Sequence, residues 1–254
     1  RLLPGGEATG ARPRLDVAGA IAVTAALLIA VYAIVNGNGN GWTSLATLGL
    51  LGIAALVLVA FLVIESRVAA PLMPLRLFRK RNLSTANVVG VLWAAAMFAW
   101  FFLSALYLQL VLGYRPLDVG LAFLPGNLIM GALSIGVSAR LVTRFGIRRP
   151  LAVGLGVAAV GLLLLARAPV DGSYVVDVLP SMVLLGLGAG VAFNPVLLAA
   201  MSEVAPEESG LASGIVNTAF MMGGALGLAI LASVASARTE SLTRSGSGSL
   251  EALV

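Results

Sequence analysis

Cysteine and histidine are both absent from this 254-residue chain, and charge is scarce, at 11% of residues against roughly 25% in a soluble domain. Without cysteine there is no disulfide framework, thiol nucleophile or thiolate metal site. Without histidine the commonest general base and the commonest transition-metal ligand are gone. The single lysine, Lys80, lies between apolar runs, so no span can form a Schiff base with a retinal-type chromophore. The acidic residues (Glu7, Asp16, Glu65, Asp118, Asp171, Asp177, Glu203, Glu207, Glu208, Glu240 and Glu251) all fall at predicted helix ends or in loops. That placement excludes a paired-aspartate intramembrane protease, as the missing histidine excludes a Ser/His one. An enzyme is not expected, nor is a bound cofactor or metal.

Long apolar runs fill the chain instead. Mean hydropathy is +1.03 and 59% of residues are hydrophobic. Seven runs stand out: Leu15 to Val35, Ser44 to Ile64, Ser84 to Leu112, Val119 to Val142, Pro150 to Ala166, Val175 to Ala200 and Gly210 to Ala235. Each is near or above the roughly 20 residues an α-helix needs to cross a bilayer core. The expected fold is therefore an all-α, polytopic transmembrane bundle.

The cations alternate between the gaps. Arg1, Arg12 and Arg14 precede the first run; Arg67, Arg76, Arg79, Lys80 and Arg81 fill the second gap; Arg140, Arg144, Arg148 and Arg149 fill the fourth. Only Arg115, Arg167, Arg238 and Arg244 lie on the other side. By the positive-inside bias the N-terminus is cytoplasmic and the C-terminal tail extracellular, in a plasma or inner membrane. The pI of 10.4 follows from this topology and does not point to nucleic acid. An odd number of spans and the lack of an initiator Met suggest a piece of something longer.

Residues 1–14 read as a cytoplasmic leader and 15–64 as a helix pair closed by the turn-rich Asn36–Gly41 stretch. Residues 65–83, with Pro71 to Arg81 mixing Leu, Phe and cations, read as a segment along the inner interface. Five further spans occupy 84–235, and 236–254 begin an outer loop. Asp16 is placed to cap the first helix. Pro125 and Pro195 fall inside spans, where the carbonyl each frees needs a partner from another helix or a wet cavity. The pairs Gly186/Gly190, Gly210/Gly214 and Gly223/Gly227 have the spacing of close helix packing.

The candidate binding residues are neutral. Trp93, Met97, Trp100, Ser104 and Tyr107 recur every three or four residues and share one stripe of the third span. Such a stripe suits a pocket for apolar or cationic aromatic ligands; the alternative is an aromatic belt or lipid-facing packing, which fits best at Trp93 and Tyr107 near the ends. Asn127, Asn194 and Asn217 lie within spans, where polar amides should face the bundle interior, for interhelical hydrogen bonds or for substrate.

Several blocks taken together resemble the second half of a major facilitator superfamily transporter of the 14-helix drug:proton antiporter branch. They are Arg14 to Gly19; Glu65-Ser-Arg67 with Pro71 to Phe78; Tyr107 to Tyr114 with Gly120 to Pro125; Arg144 to Arg148; Gly186 to Gly190; and Gly210 to Gly214 with Gly223 to Gly227. The resemblance implies helices 7 to 13 of 14, the first two being the pair inserted between the six-helix halves. It also implies alternating-access export of hydrophobic or cationic small molecules in exchange for protons, by a monomer that includes an N-terminal half. Ala139 to Arg148 resembles the family's charged cytoplasmic loop, making Arg140, Arg144, Gly146 and Arg148 latch candidates, although Thr143 replaces that loop's Asp. Where relatives often carry Asn-Thr-x-Arg-Gln, this chain reads Asn217-Thr-Ala-Phe-Met221. The absence of a mid-span acid leaves a facilitator, a metabolite importer or a non-transporting scaffold or receptor as alternatives, and means that a coupling carboxylate lies outside the chain or is borrowed from a helix end.

Overall fold

The computed structural model describes residues 16–68, 71, 81–201, 204 and 209–245. Among them run α1 (Val17–Asn40), α2 (Leu45–Arg67), α3 (Arg81–Leu106), α4 (Pro116–Ala132), α5 (Ser138–Phe145), α6 (Arg148–Leu165), α7 (Leu179–Met201) and α8 (Ser209–Arg244), with no strand. Single π-helical turns extend α3 (Tyr107–Val111), join α4 to α5 (Leu133–Val137) and open α7 (Tyr174–Val178). Seven helices are long and apolar enough to cross a membrane, α4 through α5 counting as one. The third span covers Leu83–Val111, within a residue of the run read from the sequence. The leader and most of the interfacial segment lie outside the described residues.

Two boundaries differ from expectation. The Asn36–Gly41 stretch does not form the turn: α1 continues to Asn40, and the chain reverses between Gly41, at φ 84°, and Ser44. Asn36 Nδ2 donates to the Tyr32 carbonyl at 2.9 Å, and Gly37 lies against the Trp42 indole, so packing overrides turn propensity. At the other end α8 runs on to Arg244 past the apolar stretch that ends at Ala235. Thr239 and Thr243 bond back to the helix there, and Arg244 pairs with Glu240 one turn away.

Side-chain size decides where the helices touch. A Cβ on Gly186 of α7 would strike the Gly126 carbonyl oxygen of α4, and a Cβ on Gly126 would sit 2.8 Å from the Met182 carbonyl. On the opposite face of α7, Gly188 meets Gly154 and Ala158 of α6. The same holds for α3 and α8, where Gly223 rests on Val91 and Gly227 on Ala95. Backbones this close gain dispersion contacts in a solvent that offers no hydrophobic drive between helices. The Gly210/Gly214 pair faces open space instead, so its spacing serves no packing among the described residues. The α1–α2 hairpin attaches through α1, where Ser233 of α8 donates to the Ile34 carbonyl at 3.0 Å. Large side chains such as Leu28, Leu56, Val153 and Leu163 are exposed all round, as expected where hydrocarbon is the solvent.

Candidate functional site

The stripe on α3 faces inward. Trp93, Met97, Trp100 and Ser104 are all at least nine-tenths buried, and the first three join one core with Leu108, Phe123, Met182 and Leu185. Trp100 contacts Phe101 and Phe123, with centroids 4.4 and 5.9 Å away, and Phe101 stacks on Phe123 at 5.1 Å. Helical spacing therefore brings the stripe against α4 and α7 rather than setting it in a lipid-facing belt. Tyr107 closes the stripe: its hydroxyl donates to the Pro169 carbonyl at 2.7 Å, and there α3 passes into a π-turn. Such turns re-aim the side chains that follow and recur at functional sites.

Two donors in this core have no acceptor. Trp100 Nε1 and Ser104 Oγ are buried and unpaired, as are Asn127 Oδ1 on α4 and Asn87 Oδ1 near the start of α3. Trp100, Ser104 and Tyr107 border a cleft of ≈ 840 Å³ between α3, α6 and α8, whose rim carries Thr239 and Glu240. Orphan polar atoms beside an apolar cleft are where a molecule with a complementary group gains most. Asn87, whose Nδ2 donates to the Leu83 carbonyl at 2.9 Å, is missed by the sequence reading; its only signal is an amide inside an apolar run.

The three asparagines divide. Asn194 is structural in position: its Nδ2 donates to the Ser134 carbonyl at 2.6 Å, where the π-turn after α4 meets α7. The adjacent Pro195 removes the N–H that would reach Val191, and Ser138 Oγ donates to that freed carbonyl at 3.1 Å. The requirement that a neighbouring helix satisfy a mid-span proline is met here. Ser138→Ala is therefore expected to cost about 1–3 kcal/mol by stranding the Val191 carbonyl, measurable by denaturant unfolding in micelles. Asn127 is half-buried one turn beyond Phe123.

Asn217 stands apart, exposed on α8 eight residues after its start. At 1.5 Å per residue that is about 12 Å along the helix, well inside an apolar stretch. Met221, on the next turn, is exposed too, and Phe220 packs edge-on against Phe193 of α7 at 6.1 Å while resting on the core that holds Trp93 and Met97. An amide bare to hydrocarbon is costly, so this face of α7 and α8 meets water or protein.

The loop candidates Arg140, Arg144 and Arg148 are all exposed at one end of the bundle with Arg149. Arg144 lies over the Phe145 ring, 5.3 Å from its centroid, and Thr143 donates to the Arg140 carbonyl at 2.9 Å. Gly146 ends α5 at φ 73° and ψ 179°, a backbone state open essentially to glycine alone, which is the physical reason for glycine at this point of the loop. At the other end Arg115 Nε donates to Asp118 at 3.0 Å, and that bonded carboxylate holds the guanidinium pKa above its usual value.

Residues 15–228 match the family described as Major Facilitator Superfamily. Among similar proteins are the puromycin resistance protein pur8 of Streptomyces alboniger, 36% identical over 94% of this chain and 48% of its own length, and the cephamycin export protein CmcT of Amycolatopsis lactamdurans, 35% identical over 90% and 47%. The multidrug resistance protein Stp of Mycobacterium tuberculosis is 34% identical over 88% of this chain and 41% of its own length. The chain thus spans about half the length of the curated relatives it matches. Seven apolar helices, glycine-mediated crossings and this match agree that the chain belongs to the major facilitator superfamily, a family of membrane transporters.

Proposed function

We propose that this chain forms part of a proton-coupled exporter of hydrophobic or cationic small molecules, in the 14-helix branch of the superfamily. The exposed Asn217 carries the reading. A polar side chain well inside an apolar helix, flanked by Met221 and the Phe193–Phe220 pair, suits a wet pathway lined with aromatic and polarizable groups. Trp93, Met97 and Trp100 act behind it by fixing Phe220 and Phe123, while Ser104 and Tyr107 belong to the cleft at the far end of the stripe. Asn194 ties α7 to the π-turn after α4 and so supports the same surface, while Asn127 offers a buried, unpaired amide oxygen on α4.

Alternating access then requires a second half to rock against this face, with protons as the counter-substrate. The exposed arginines Arg140, Arg144, Arg148 and Arg149 mark the cytoplasmic end and fix topology in a plasma or inner membrane, with the start of α1 inside and the end of α8 outside. The names of the relatives, resistance to puromycin, export of cephamycin and multidrug resistance, support a drug as cargo.

Flux through the full-length protein in proteoliposomes tests this, with puromycin and an organic cation as probes. Uphill movement driven by a proton gradient and abolished by a protonophore is expected. Flux indifferent to the gradient would make the protein a facilitator, and binding without flux a receptor.

A further inference from the structure

The spans that build the core carry no charged side chain: none falls between Arg81 and Arg115, Asp118 and Arg140, Asp177 and Glu203, or Glu208 and Arg238. A cationic molecule among these helices therefore finds no counter-ion on them. Its attraction must come from neutral groups, above all aromatic ring faces, helped by polarizable thioethers and amide dipoles.

All three kinds of group meet at one place. Phe193 of α7 is 37% exposed, although Ala189, Ala192 and Val196 around it are buried. Its ring meets that of Phe220 edge-on, with centroids 6.1 Å apart and planes at 81°. Such a pair covers at most one face of one ring, so aromatic faces stay open. Phe220 and Met221 follow Asn217 by three and four residues, which puts ring, thioether and amide within one turn on the same side of α8. The amide and the thioether are both exposed. The rings are held from behind: Asn194, next to Phe193, donates to the Ser134 carbonyl at 2.6 Å, and Phe220 rests on the core of Trp93 and Met97.

We infer that Phe193 is the cation-recognising residue of this pathway, its ring face receiving the charged part of a quaternary or charge-delocalised organic cation, with Phe220 fixing the ring. A weakly hydrated cation is the fitting class, because a compact ammonium loses more hydration than neutral groups return. The assignment rests on the exporter reading above and narrows its cargo.

Binding of tetraphenylphosphonium to the solubilised full-length protein tests it, with neutral triphenylphosphine oxide as the uncharged comparison. Phe193 is replaced in turn by mono-, di- and trifluorophenylalanine, which keep the shape of the ring while withdrawing the electron density that attracts a cation. Affinity for the phosphonium should fall stepwise, to about a tenth with the trifluoro ring, while the oxide binds unchanged. Phe193→Leu should bring a similar loss, and Phe193→Trp should hold or raise the affinity. Phosphonium binding that ignores fluorination, or is absent from the wild type, overturns the role of the ring; gradient-driven puromycin export in the same protein would leave the exporter reading standing. Stepwise loss in a protein whose flux ignores the gradient upholds the ring and overturns only the coupling.

Discussion

Replacing Gly186 by leucine is expected to leave almost no folded transporter. The collision is with backbone: the position its Cβ would take is already filled by the Gly126 carbonyl, with Gly126 Cα at 3.0 Å, and neither can swing aside as a side-chain tip can. On the other side of the same helix Gly188 holds α6 at similar range, so α7 cannot retreat from α4 without overpacking α6. Overpacking of cores ordinarily costs about 1–3 kcal/mol, and a backbone-to-backbone clash that parts two helices belongs with the exceptional changes above roughly 4 kcal/mol. Fluorescence-detected size exclusion of the solubilised protein would read this as loss of the monodisperse peak. Gly214→Leu, at a position with nothing within 4 Å, should keep it.

Trp100→Ala should cost about 3–5 kcal/mol in stability and most of the transport activity. Its indole is 3% exposed and bridges Phe101 and Phe123, so truncation opens a void beneath the α4 helix that carries Asn127. Trp100→Phe separates packing from polarity. Because Nε1 has no acceptor in this structure, the phenyl ring should restore most of the stability, and thermal unfolding in micelles would show it. If the indole N–H serves a substrate in the cleft, the same variant will lower affinity for puromycin while remaining folded. Equal recovery of stability and affinity would confine Trp100 to packing.

The spans were legible because the bilayer demands a length and an apolar composition that survive in a single sequence, and the third span agrees with its run almost to the residue. That the stripe shares one helix face was legible from its period, but not that the face turns inward or what covers it: Trp100 meets Phe123 through a helix crossing that no spacing encodes. Gly186/Gly190 and Gly210/Gly214 read identically, yet only the first pair is occupied, since spacing marks where a neighbour could approach and not whether one does. Asn36 to Asn40 read as a turn because Gly and Asn favour one in isolation, whereas helix α1 and the Trp42 ring hold them helical. Asp16 was legible as the cap of α1, accepting from Gly19 N at 2.8 Å, whereas its approach to Glu65 beside that glycine depends on how two helices cross. The π-turns at Tyr107, Leu133 and Tyr174 have no residue signature, being set by tertiary contact.

All the functional readings share one physical claim, that the Asn217 face of α8 meets a wet pathway and not lipid. The lack of cysteine makes it directly measurable, since Asn217→Cys introduces the sole thiol of this chain. In the full-length protein, freed of any other cysteine and embedded in vesicles, a charged membrane-impermeant thiol reagent should label that position, and puromycin should slow the labelling. Leu56→Cys, on an exposed apolar face of α2, should stay unlabelled. Labelling at neither position, with Asn217→Cys reacting only with a lipid-soluble maleimide, would place this face in hydrocarbon and contradict the account.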